Sequence, residues 1–173
     1  ALLEKLGEQW SAAAEGQQNL AKNIAQALTL RLPIIYASYG LFEVAAWRWK
    51  EQFCENAEIL SWHNAFPELN HNELVGWGLR RAVDQNLQVI YLRDRQDYSR
   101  VQKRMEVTRE LIAQTSAPVI EVWSQGHSLL ARLFSLIFLG DLTSVYLAVL
   151  NGVDPTPVKK IDLLKERLEQ FHG

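Results

Sequence analysis

Pro33-Ile34-Ile35-Tyr36-Ala37-Ser38-Tyr39-Gly40 is the stretch that decides the fold. A short apolar run of this kind is what a parallel strand buried on both faces requires. Ser38-Tyr39-Gly40 then makes a tight turn, and residues 41–57 read as a long helix with Val44, Ala45, Arg48, Trp49, Gln52 and Phe53 spread around it. Outward from this unit the alternation continues. Residues 58–62, 87–92 and 118–123 are further short strands; 98–115 is a charged amphipathic helix, and 127–151 an apolar one closed by Gly152. Upstream, helices are expected over 3–14, ended near Gly16, and over 17–30, stopped by Pro33. Pro157 suits the first position of a last helix running to about Phe171. The pattern predicts an α/β three-layer sandwich, a parallel doubly wound sheet of four to five strands with helices on both faces, forming a single domain over residues 1–173.

Composition sets the outer bounds. An apolar fraction of 48% with 22% charged residues fits a soluble globular core, and a net charge of -2 without a basic block argues against nucleic acid as a partner. The four His lack metal-ligand spacing, and the single Cys54 excludes an intramolecular disulfide, which fits a reducing, cytoplasmic setting. Residues 129–150 have the length of a membrane span, but Arg132 and Asp141 interrupt them. A charge near mid-bilayer costs several kcal/mol, so the segment reads as a buried helix and no membrane partner is expected.

Ligands of such sheets bind beyond the carboxyl ends of the strands. Phosphate-loop, dinucleotide-binding and nucleophile-elbow patterns are all absent. What remains is Phe66-Pro67-Glu68-Leu69-Asn70-His71-Asn72-Glu73-Leu74-Val75-Gly76-Trp77, with two carboxylates, two amides and an imidazole in six positions. Pro67 biases Phe66 towards an extended conformation, and Asn70 is a suitable N-cap for a short helix with His71 in its first turn. A helix cap with a partly buried polar His71 is the plain alternative. Glu55 ends the long helix, where the helix dipole disfavours a carboxylate; it is either a solvated helix end or an acid placed where its pKa can rise. Lys165 has the surroundings of an ordinary surface lysine.

Three runs carry a resemblance. Arg48-Trp49-Lys50-Glu51-Gln52-Phe53-Cys54-Glu55-Asn56-Ala57, then Pro67-Glu68-Leu69-Asn70-His71-Asn72-Glu73, then Val153-Asp154-Pro155-Thr156-Pro157-Val158 with Ile161 and Leu164-Lys165 occur in this order. Together they resemble the C-terminal half of bifunctional phosphoglucose/phosphomannose isomerases, of the sugar isomerase (SIS) fold class. The resemblance implies an aldose–ketose isomerase acting on glucose 6-phosphate, mannose 6-phosphate and fructose 6-phosphate through a cis-enediol, in glycolysis and gluconeogenesis, with no metal or organic cofactor. It implies Glu55 as catalytic base, His71 as the residue that opens the sugar ring, and Lys165 beside the ring oxygen, with Lys159 and Lys160 nearer the Pro-x-Pro turn. Cys54 stands as a small buried neighbour of the base. The resemblance also implies a homodimer in which His71 reaches the site of the neighbouring subunit, and a phosphate clamp in an N-terminal SIS half. With the sequence beginning at Ala1 and without Met, the chain is expected to be the C-terminal half of a longer two-domain protein. The reading from another class is a non-catalytic SIS-like module that binds a sugar phosphate or only dimerises.

Overall fold

The computed structural model describes residues 2–14 and 19–171. Its elements run α1 (Leu2–Gln9), α2 (Leu20–Leu28), β1 (Leu32–Ser38), α3 (Leu41–Asn56), β2 (Trp62–Phe66), α4 (Arg81–Asp84), β3 (Leu87–Arg93), α5 (Ser99–Ile112), β4 (Val119–Trp123), α6 (Leu129–Asn151) and α7 (Lys159–Glu169). Two 3₁₀ turns, Glu68–Asn70 and Glu73–Gly76, stand between β2 and α4. The four strands are parallel in the order β2-β1-β3-β4, so the strand order reverses at the crevice between β1 and β3.

The strands are buried on both faces, and period-two alternation sorts their side chains into two cores. Ile35, Ala37, Ile90, Leu92 and Val122 face α1, α2, α3 and α6. Tyr36, Val89 and Tyr91 face the other way, against Phe66, Leu69 and the Met105 and Ile112 side chains of α5. On that second face the rings of Tyr36, Phe66 and Tyr91 meet edge to face or tilted at 5.7 to 6.1 Å, the arrangement that aromatic quadrupoles prefer. Helices on both faces of a parallel four-stranded sheet make the three layers that the alternation of strands and helices predicts.

α6 is the apolar helix of the first core. By length and composition it would cross a membrane, yet half of its most apolar window is buried inside the domain. Its charges are also spent there: Arg132 binds Asp94 of the β3 end at 2.8 Å, and Asp141 takes Arg48 of α3 at 3.0 Å. Ser128 caps its start by accepting from the Ala131 N–H, and Gly152, at φ 71°, ends it in the left-handed conformation that glycine adopts without strain. Gly140 faces α3. There the Trp49 indole lies directly over the glycine and donates to the Leu136 carbonyl at 2.7 Å.

Five local readings need correction. The first helix ends at Gln9, before the expected residue 14; its expected end at Gly16, and Gln17, lie outside the described residues. The second begins at Leu20, because the Asn19 side chain caps it by accepting from the Lys22 N–H at 3.1 Å. Residues 58–61 are not a strand. Glu58 has φ 52° and the Ser61 hydroxyl donates to the Lys50 carbonyl, so Ile59 and Leu60 lie in the connection from α3. The strand begins at Trp62, paired with Ile34, and ends at Phe66, paired with Ser38. Apolar side chains outweighed turn chemistry in that reading. No regular helix follows Asn70, and the short α4 comes later instead. Finally, the last helix starts at Lys159, with Val158 and not Pro157 directly before it, and ends at Glu169.

Because the Trp49 ring occupies the space beside Gly140, Gly140→Ala forces the indole off its carbonyl partner. The variant is expected to lose about 1–3 kcal/mol, read as a lower denaturation midpoint at unchanged slope.

Candidate active site

The residues of the Asn-His-Asn-Glu turn divide into anchors and projecting groups. Leu69 is fully buried in the second core. Asn70 does not cap a helix; its Nδ2 donates to Thr108 Oγ1 of α5 at 2.8 Å. Glu73 reaches back under the sheet end, where one carboxylate oxygen accepts from the Tyr36 hydroxyl and the other from Asn64 Nδ2 at 2.6 Å. Burial first, then the adjacent Glu73 carboxylate, push Tyr36 well above the usual phenol range, so it stays a neutral donor. Asn72 caps the second 3₁₀ turn by accepting from the Glu73 N–H. What the anchors leave outside is His71. Its side chain is exposed, where the plain alternative has it partly buried.

Glu55 stands elsewhere. α3 starts beside the carboxyl end of β1 and runs back along it, so the last turn of α3 reaches the amino ends of the strands. Sixteen helical residues span roughly 24 Å. His71 follows the carboxyl end of β2. The two candidate catalytic groups thus lie at opposite ends of the sheet within one chain. Glu55 is exposed and opens onto a cavity of about 400 Å³ that Cys54, Glu58, Pro157, Lys159 and Lys160 also line. Cys54 is half-buried in its wall, not a fully buried neighbour. Lys160 Nζ lies 3.5 Å from Glu58 Oε2. Lys165 is five residues further along the exposed α7, roughly 7.5 Å beyond Lys160 on the helix axis, and does not line the cavity. The structure brings Glu55 together with Lys159 and Lys160, and with neither His71 nor Lys165. Among the described residues no group of three His, Cys, Asp or Glu side chains is gathered for a metal ion.

The crevice between β1 and β3 is closed by a polar lock. Ser38 donates to Asp97 Oδ1 at 2.7 Å. Burial raises the Asp97 carboxyl above its usual range, and the Ser38 hydrogen bond opposes the shift without cancelling it.

The parallel sheet, the helices on both its faces and the exposed polar groups at both its ends make a doubly wound α/β domain. The chain matches the bacterial phospho-glucose isomerase C-terminal SIS domain family over residues 17–168, and it belongs to that family. It is 44% identical over 170 residues to a bifunctional phosphoglucose/phosphomannose isomerase of Caldicellulosiruptor bescii, covering 98% of this chain and 50% of the relative. The protein of the same name from Aquifex aeolicus is 32% identical over 168 residues, covering 97% and 52%. The chain thus spans about half the length of the curated relatives it matches. A glucose-6-phosphate isomerase like protein from Thermus thermophilus superposes with a TM-score of 0.75 at 25% identity, over 89% of this chain and 51% of that one. A putative sugar-phosphate isomerase from Listeria monocytogenes shares the fold alone, with a TM-score of 0.62 at 11% identity over 94% of each chain.

Glu73→Ala leaves the Tyr36 hydroxyl and the Asn64 amide without their acceptor, so a loss of about 1–3 kcal/mol is expected, with faster amide exchange across residues 70–76. Asp97→Asn probes the lock. A carboxyl whose pKa is raised on folding contributes stability below its unfolded pKa and loses it as pH rises through the folded one. The Asn variant should therefore gain melting temperature over the parent at pH 7, and the gain should shrink on acidification through the carboxylate range.

Proposed function

We propose that this chain is the catalytic-residue-bearing C-terminal half of an isomerase that interconverts glucose 6-phosphate or mannose 6-phosphate and fructose 6-phosphate, within carbohydrate metabolism in the cytoplasm. The reaction opens the sugar ring, removes the proton from carbon 2 and returns it to carbon 1 through a cis-enediol or enediolate. One carboxylate can carry that proton both ways, and Glu55 is assigned this task. His71 moves the ring proton, as an imidazole does near neutral pH. A lysine beside the base stabilises the oxygen on which charge develops. No organic cofactor or metal enters this scheme.

The observation that carries the reading is the separation of Glu55 from His71 within one chain, beside family membership. A site containing both needs His71 from a second copy, which supports a homodimer with the imidazole supplied across the interface. Two further features support an incomplete half. Glu55 is open to water, so its desolvation as a base must come from whatever closes over the cavity. α7 buries no residue, and Ile161, Leu163, Leu164, Leu168 and Phe171 are exposed on or just beyond it. An apolar face of this kind fits contact with an N-terminal SIS half, which is also assigned the phosphate clamp.

For the lysine the resemblance favours Lys165 and the cavity favours Lys159 or Lys160. Lys165 meets Glu55 only if α7 shifts when the site closes.

The test is fructose 6-phosphate formation from each aldose by the full-length parent. Glu55→Gln is expected to lower kcat on both sugars about 10²–10⁴-fold without unfolding the protein. The 173 residues alone should show essentially no turnover. Of Lys159→Gln, Lys160→Gln and Lys165→Gln, the variant that loses kcat names the catalytic lysine. Unchanged behaviour of Glu55→Gln in a folded dimer would instead establish the non-catalytic sugar-phosphate-binding or dimerisation module.

A further inference from the structure

On the α5 side of the sheet, a groove of about 400 Å³ runs between α5 and the turn that presents His71. Arg100, Lys103 and Arg104 of α5 line one wall; Asn70 and Leu74, with Val107, line the rest. Among the described residues no carboxylate lines it. Lys103 is neutralised by Glu106 of its own helix at 3.1 Å. The other ion pairs of the domain engage Arg48, Arg93, Arg109, Arg132 and Lys160, so Arg100 and Arg104 face the groove without an acidic partner among the described residues. Their placement also opposes the local field. The first turn of α5 holds no acidic residue, and Arg100 stands in it, at the helix end where the macrodipole disfavours a cation.

We infer that this groove binds the phosphate group of a small phosphorylated metabolite. The phosphate is held between Arg100 and Arg104, with the carbon skeleton of the ligand against Leu74 and Val107. Two guanidiniums one helical turn apart supply paired donors to a phosphate, the geometry in which arginine exceeds lysine. An anion there offsets both the mutual repulsion of the cations and the opposition of Arg100 to the helix dipole. The inference needs no catalytic role for Glu55, since α5 and α3 lie on opposite faces of the sheet. Asn70 and Leu74 bracket His71 in the chain, so the occupant rests on the turn that carries the imidazole.

The experiment is calorimetric titration of the full-length protein with inorganic phosphate and, separately, with glycerol phosphate, at ionic strength held constant with chloride. It is repeated on Arg100→Gln/Arg104→Gln, on Arg104→Gln alone, and on Arg109→Gln, which removes a cation of the same helix outside the groove. Circular dichroism verifies that each variant is folded. One class of phosphate sites should weaken about tenfold or more in the double variant, partly in Arg104→Gln, and remain unchanged in Arg109→Gln. Equal binding in all four proteins, an equal loss in the Arg109→Gln control, or no binding of either probe beyond chloride overturns the inference. Because the readout is binding and not turnover, its failure is separate from any failure of the isomerase reading.

Discussion

The close approach of Trp49 to Gly140 is the constraint on which the packing of α3 against α6, and with it the placement of Glu55, depends. A side chain larger than hydrogen on α6 would stand in the indole ring, so α3 could not lie as near. With the ring seated, its N–H satisfies the Leu136 carbonyl, and Phe53 packs edge-on against it at 5.8 Å. The Arg48–Asp141 pair and the Asn56 to Ser144 hydrogen bond, at 2.8 Å, fix the two helices along most of their contact. The exposed ion pair adds little energy, but together with the buried contacts it allows α3 one orientation. The position of Glu55 at the foot of α3 is therefore a consequence of core packing.

At the other end the constraint is polar. Glu73 joins β1 through Tyr36 and β2 through Asn64, and those two strands are neighbours in the sheet. A buried phenol and a half-buried amide need acceptors, and one bidentate carboxylate serves both. Leu69 adds apolar anchorage and Asn70 ties the turn to α5. In a segment of six residues the anchors alternate with solvated groups too closely for helical or strand periodicity. That is why two short 3₁₀ turns form there and not the helix that Asn70 would have capped.

The parts legible in the sequence are those decided by local signals. The apolar runs around Ile35, Ile90 and Val122 mark three of the four strands, and Gly152 marks the end of α6. The second strand was misplaced because Ile59 and Leu60 resemble a strand by composition; the hydroxyl of Ser61 and the left-handed Glu58 that make them a connection depend on tertiary partners. At the site, residue types alone left the roles of Glu55 and His71 open, and the resemblance carried by the three runs singled them out. It could not reveal that Glu73 is an anchor, since Tyr36 is 37 positions away and becomes its partner only through strand pairing. The Lys159 and Lys160 wall of the cavity was likewise hidden, because it arises where the Pro157 turn meets the end of α3.

These two constraints act against each other in a single chain. Bringing Glu55 towards His71 would require α3 to reverse or detach, which would expose Trp49, Phe53 and the face of α6 that they cover. Burial of each such side chain is worth about 1.5–3 kcal/mol, so the separation is enforced by a large part of the domain's stability. Moving His71 instead would break the Glu73 hydrogen bonds and pull Leu69 from the second core. A fold held this firmly at both ends of its sheet can bring Glu55 and His71 into the one site of the proposed isomerase only by meeting another surface. Within that proposal the two ends are complementary: Glu55 is placed by the packing of α3 on α6, and His71 by the anchors of its turn.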